Sequence, residues 1–203
     1  MHLSKEDIIN TAHVKRLNLI NSITGIKPGN LIGSVSKDGY SNLAIFSSVV
    51  HLGSNPALIG FISRPDKKVK RDTLNNILET GYYTINHIHC DFIEQAHKTS
   101  RKYDKEVSEF EMCNLTESYL FDFPAPFLKE SKIKLGLKLE DLITITKNDT
   151  KMIVGSIEHL YFDDIALQEN GDINLELIND IGIGGLNNYY GLKKIRYFPY
   201  VSK

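Results

Sequence analysis

Two groups of residues in this chain could do chemistry together. The first is a set of uncharged hydrogen-bonding side chains, Ser34, Ser36, Asn42, Ser47 and Ser48. The second is a basic stretch, Arg64, Lys67, Lys68, Lys70 and Arg71, directly ahead of Asp72-Thr73, which reads as a helix start. Small hydroxyls and an amide on paired strands suit the edge of a planar heteroaromatic ring that carries carbonyls and ring nitrogens. A helix N-terminus offers unpaired N–H groups and a partial positive charge, and flanking Arg and Lys add charge-assisted bonds, so a phosphate fits there. Each group also has a plainer reading: a Ser-rich edge strand facing water, and a solvated run of charge. Composition leaves both open.

Other chemistries find less support. His51, His87, His89 and His97 include one pair at i, i+2, but no Asp, Glu or Cys completes a ligand set at the usual spacing, so no metal centre is expected. No nucleophile elbow, Walker loop or GxGxxG occurs, and Ile181-Gly182-Ile183-Gly184-Gly185 lacks the dinucleotide spacing. With 24 Lys+Arg against 25 Asp+Glu, the net charge of −1 gives no bulk attraction to nucleic acid or an anionic membrane. Cys90 and Cys113 are too few for a disulfide framework, the N-terminus lacks an apolar signal core, and no apolar run spans about 18 residues. A cytoplasmic protein is the expectation.

The elements that must position these residues can be read in turn. At 203 residues the chain suits one domain, 1–203. Ser4 and the acids after it predict a short helix within 4–20. Strand periodicity starts at Leu31, and Lys37-Asp38-Gly39-Tyr40 predicts a tight hairpin into a strand over Ser41–Val50. After the break at Asn55-Pro56, the apolar run Ala57–Ile62 reads as a buried strand, and Ser63–Arg71 as a loop. A helix follows, with Asp72 as N-cap, a stripe of Leu74, Ile77 and Leu78, and a stop at Gly81. Tyr82–Ile88 reads as a strand. Residues 91–130 are the least periodic, with a helix near Phe92–Lys98, and are where a mobile cover would sit. Ile133, Leu135, Leu137 and Leu139 alternate with Lys132, Lys134, Gly136 and Lys138, predicting one core face and one wet face; Thr150–Phe162 pairs back across Lys147-Asn148-Asp149. Many short strands and few helices favour an antiparallel barrel.

Asn42-Leu43-Ala44-Ile45-Phe46-Ser47 after an Asp-Gly turn, Ser54-Asn55-Pro56 before a buried strand, and Arg71-Asp72-Thr73-Leu74-Asn75-Asn76-Ile77 running to Gly81 stand in this order along the chain. Together they resemble the flavin reductase-like family of FMN-binding split barrels. Ser108-Glu109-Phe110, Pro124-Ala125-Pro126-Phe127 and Gly184-Gly185 with Tyr189-Tyr190 extend the likeness over about Asn18 to Tyr190. The resemblance implies a mainly β fold, an antiparallel Greek-key split barrel with a few flanking helices, and a homodimer with FMN near the subunit interface. It assigns flavin contacts to Lys27, Pro28, Ser34, Asn42, Leu43, Ala44, Ser47 and Ser48, and phosphate contacts to Arg64, Lys70 and Thr73. Ile45 stands where a proline is common, and Lys27 where an arginine is.

The implied activity is an FMN-dependent oxidoreductase, with FAD as an alternative cofactor. NAD(P)H would be its reductant, and free flavin or another acceptor would take the electrons. An electron carrier that bypasses nicotinamide, or a flavin store or sensor without turnover, are the alternatives. No catalytic side chain is required; His97 is the one candidate neighbour of the ring.

Overall fold

The computed structural model describes residues 1–67 and 69–199, so Lys68 of the basic stretch lies outside the described residues. Ser4 opens α1 (Lys5–Asn10) with a capping box: its hydroxyl accepts the Asp7 N–H, and Asp7 accepts the Ser4 N–H. The single helix expected over 4–20 is instead two, because Thr11 adopts extended backbone before α2 (His13–Ser22). Neither helix buries a residue. Short β1 (Ile26–Pro28) leads into β2 (Asn30–Val35), which turns through Asp38-Gly39 into β3 (Ser41–Phe46). Gly39 takes φ +88, as the expected turn requires.

The strand expected over Ser41–Val50 is broken. β3 ends at Phe46, Ser47–Val49 cross over, and β4 (Val50–Ser54) begins a new strand that pairs with β5 (Ala57–Ser63). Ser48 anchors the crossing, accepting the Ile62 N–H at 3.0 Å and donating to the Ile62 carbonyl at 3.1 Å. Next come α3 (Asp72–Thr80), β6 (Tyr82–His87), α4 (Ile93–Lys98), α5 (Glu109–Met112), and the two-residue strands β7 (Glu117–Ser118) and β8 (Phe127–Leu128). The long hairpin of β9 (Ile133–Ile145) and β10 (Thr150–Phe162) follows, then β11 (Ile181–Gly184) and β12 (Asn188–Gly191).

The main sheet has seven strands in the order β3-β2-β6-β9-β10-β5-β4, with every pair antiparallel. Its two edges, β3 and β4, are consecutive in the chain. In a flat sheet they would lie about 29 Å apart, at about 4.8 Å per strand. The link from Phe46 to Val50 reaches about 14 Å at full stretch. The sheet must therefore curl until its edges nearly meet without pairing, which is a barrel split between β3 and β4.

The barrel interior is filled by Ile32, Phe61, Tyr83, Ile85, Leu135, Leu137 and Ile153, with Leu74 and Ile77 of α3 against them. Leu78, expected on that stripe, is 47% exposed. Asp72 is the first helical residue rather than the N-cap; Arg71 holds that position without a side-chain bond. Gly81 ends the helix as expected, its N–H donating to the Ile77 carbonyl at 2.8 Å.

Outside the barrel, residues 91–130 do not form a loose cover. Phe92, Ala96, Phe110, Cys113, Leu115 and Leu128 are buried with Leu31 and Leu43, and Ile181 and Ile183 of the three-stranded sheet β1-β11-β12 complete this layer. Nor is the outer face of β9 wet throughout: Lys134 is 6% exposed, its ammonium 4.5 Å from the Tyr161 ring centroid. Gly136 beside it is buried under Phe123 and Phe127, where a Cβ would stand 3.1 to 3.2 Å from both rings.

Candidate functional site

The polar residues singled out in the sequence meet where α3 lies against the β2–β3 hairpin. Ser34 and Asn42 are cross-strand partners. Asn42 donates its amide N–H to the Thr73 hydroxyl at 3.0 Å, and Asn76 donates to the Ser34 hydroxyl at 3.2 Å. Thr73 and Asn76, three residues apart, share one face of α3. The structure thus brings Ser34, Asn42 and Thr73 together and adds Asn76, a residue that sequence reasoning missed. Its signal was available: a polar side chain between the core-facing Leu74 and Ile77 needs a partner. Ser36 serves the turn instead, accepting the Tyr40 N–H.

β3 is an edge strand, so one side of its backbone has no neighbouring strand. The Leu43 N–H points to that side, donating to Glu109 Oε2 at 2.9 Å, and the alternation of an antiparallel pair turns the Ile45 N–H and C=O the same way. Ser41 is also held there, 2.9 Å from the Ser108 hydroxyl and 3.0 Å from Glu117 Oε2. From Ile45 to Ser47 no side-chain bond occupies the edge among the described residues. The Leu43 side chain is buried in the outer layer, so it faces away from Asn42. Ala44 and Ser47 are half-buried, and Ser48 is engaged with Ile62.

Lys27 and Pro28 lie apart from the Ser34 group. β1 feeds the Asn30 end of β2, opposite Ser34, and Asn30 pairs with Phe46, next to Ser47. Lys27 donates its ammonium to the Asn21 and Gly185 carbonyls at 2.7 and 3.4 Å. The predicted residues therefore spread along the length of β3, about 17 Å for six residues. His97 sits on α4, which packs on the outer face through Ala96, and lies 2.7 Å from the Tyr189 hydroxyl; it is on the other side of β3 from Asn42.

The cationic loop divides by partner. Lys67 pairs with Asp149 at 2.8 Å, and Asp66 pairs with Lys151, tying the loop to the tip of the β9–β10 hairpin. Arg71 donates its Nε–H to the Pro65 carbonyl; burial, and then the neighbouring Arg64 charge, lower its pKa. Arg64 and Lys70 are exposed, and among the described residues none of Arg64, Lys70 and Arg71 pairs with a carboxylate. The first intrahelical bond of α3 runs from the Asn75 N–H to the Arg71 carbonyl, so the N–H groups of Asp72, Thr73 and Leu74 have no helical acceptor. At such a helix end, Arg64 and Arg71, whose charges act on each other, are donors of the kind that a phosphate would require. A polar strand edge next to it fits a planar ring.

Residues 26–178, about three quarters of the chain, match the flavin reductase like domain, and the chain belongs to that family. A crystal structure from Shewanella frigidimarina, assigned as a flavin reductase with a split barrel domain, is 46% identical with TM-score 0.94, covering 99% of this chain and 100% of that one. Nitrilotriacetate monooxygenase component B from Bacillus cereus shares the fold at 20% identity and TM-score 0.86, covering 98% of each chain. Flavoredoxin of Desulfovibrio vulgaris does so at 19% and 0.74, covering 86% of this chain and 91% of that one.

Proposed function

We propose that this protein binds FMN along the open edge of β3 and acts as an NAD(P)H-dependent oxidoreductase. The observation that carries the reading is Arg64 and Arg71, near enough for one charge to act on the other and without an ion-paired carboxylate among the described residues, at the N-terminus of the helix that also holds Asn42. FMN is the flavin that ends in a single phosphate, which that corner would take; FAD is the alternative. When bound, the flavin supplies the redox chemistry, accepting a hydride from reduced nicotinamide and passing electrons to free flavin or another acceptor.

The chain's own work is binding and orientation. Arg64, Lys70, Arg71 and the α3 N–H groups would hold the phosphate, and Ser34, Asn42 and Thr73 would line the path toward the ring. Ile45, Ser47 and the backbone beyond Leu43 would face the ring edge. No side chain is asked to act as acid, base or nucleophile. A second copy of this chain is the partner we propose, because α2 exposes Val14, Leu17 and Ile20 at 66%, 41% and 42%, an apolar row at helical spacing that one protomer leaves uncovered.

Flavin fluorescence quenching tests the binding. FMN should bind at least about tenfold more tightly than riboflavin, since only FMN offers the phosphate for charge-assisted bonds; equal affinities would contradict the phosphate corner. The fold shared with flavoredoxin favours one second reading, an electron carrier reduced by a partner protein rather than by nicotinamide.

A further inference from the structure

β3 is held very unevenly along its length. Its first three residues are each tied by a side chain from another element: Ser41 by Ser108 and Glu117, Asn42 by Thr73, and Leu43 by Glu109. Ala44, Ile45 and Phe46 have no such tie among the described residues. Of these ties, the one to Glu109 is chemically the most demanding. Glu109 is 8% exposed, and no Lys, Arg or His pairs with its carboxylate among the described residues. A buried carboxylate that serves only the core would be replaced at little cost by an amide or an apolar side chain. Beyond Glu109's own backbone N–H, the one hydrogen bond its carboxylate accepts among the described residues comes from Leu43 on the edge strand.

We propose that Glu109 is a positioning residue for flavin binding: its carboxylate grips the Leu43 N–H and so fixes the line on which β3 presents Ile45 to Ser47. The inference rests on the flavin reading above. A carboxylate accepts the N–H with charge assistance, whereas its protonated form accepts more weakly. Burial raises the Glu109 carboxyl above the ordinary range; the Leu43 N–H and its own backbone N–H oppose this, and Asp72 of α3 adds a smaller push upward. The grip therefore loosens as pH falls, before ordinary carboxylates titrate. Cys113, at the end of α5, also faces this carboxylate; Glu117 of β7 reaches the same edge at Ser41.

Riboflavin is the probe, because it has no phosphate whose own ionisation or contacts with Arg64 and Arg71 would complicate the pH dependence. Glu109→Ala should weaken riboflavin and FMN by the same factor, about tenfold or more, the scale of one lost hydrogen bond to a charged group. Glu109→Gln, whose amide oxygen can still accept the Leu43 N–H, should bind riboflavin within about threefold of the parent at neutral pH, but without the parent's weakening between neutral and mildly acidic pH. In the flavin-free protein, amide exchange at Leu43 should quicken in Glu109→Ala and stay slow in Glu109→Gln. Parent-like riboflavin binding by Glu109→Ala would overturn the inference, as would a Glu109→Gln protein that keeps the parent's pH dependence. A parent chain that binds neither flavin would overturn the flavin reading and the inference with it, so the two failures are distinguishable.

Discussion

The Arg64 charge acts on Arg71, and Asn42 of β3 donates to Thr73 of α3. Arg64→Ala and Arg71→Ala should each cost FMN about tenfold or more in affinity, the scale of a charge-assisted bond, and leave riboflavin within about twofold; equal loss of both ligands would remove the phosphate from this corner. Asn42→Leu should impair both ligands, because it strips the strand of its tie to α3. Glu109 carries a stability cost whose sign follows from its raised carboxyl. The folded state disfavours the ionised form, so the cost is present above the folded pKa and disappears as pH falls below the ordinary carboxylate value. Glu109→Gln should therefore melt higher than the parent at pH 8, by about 2–4 °C if about 1 kcal/mol is recovered, and the gap should close toward pH 4. A gap that widens on acidification would reverse the argument.

At the scale of elements, local signals were legible and distant ones were not. The Asp38-Gly39 turn and the Gly81 stop follow from backbone preferences confined to a few residues, and both stand as expected. The break in Ser41–Val50 could not be read, because its residues keep strand character throughout and the crossing is fixed by Ser48 gripping Ile62, fourteen residues on. The burial of Lys134 and Gly136 was hidden for the same reason: the rings that cover Gly136 come from residues 123 and 127, in the least periodic part of the chain. Gly136→Ala should cost about 1–3 kcal/mol, the penalty of forcing atoms into a packed layer, measured by urea unfolding; an unchanged midpoint would mean that Phe123 and Phe127 move aside freely. Of the candidate site, Ser34 and Asn42 were legible because a hydroxyl and an amide stood on two strands joined by a predicted hairpin, and Thr73 because it opens the helix after a basic stretch. Asn76 and Glu109 gained their meaning only once α3, β3 and α5 were brought together.

For the whole molecule, two short helices that bury nothing leave an apolar row uncovered, which the proposed second copy would cover. Light scattering behind size exclusion should give a dimer, and Leu17→Glu should shift it toward monomer; a monomeric parent that holds FMN tightly would contradict the proposed interface. The proposed redox activity needs the strand edge, the phosphate corner and an open approach to the bound ring together. Its most direct test is an anaerobic titration of the FMN-loaded protein with NADH and with NADPH, followed at the flavin absorbance. Bleaching by at least one nicotinamide at a stoichiometry of about one is the predicted result; a flavin that stays oxidised with both, yet bleaches with dithionite, would contradict it.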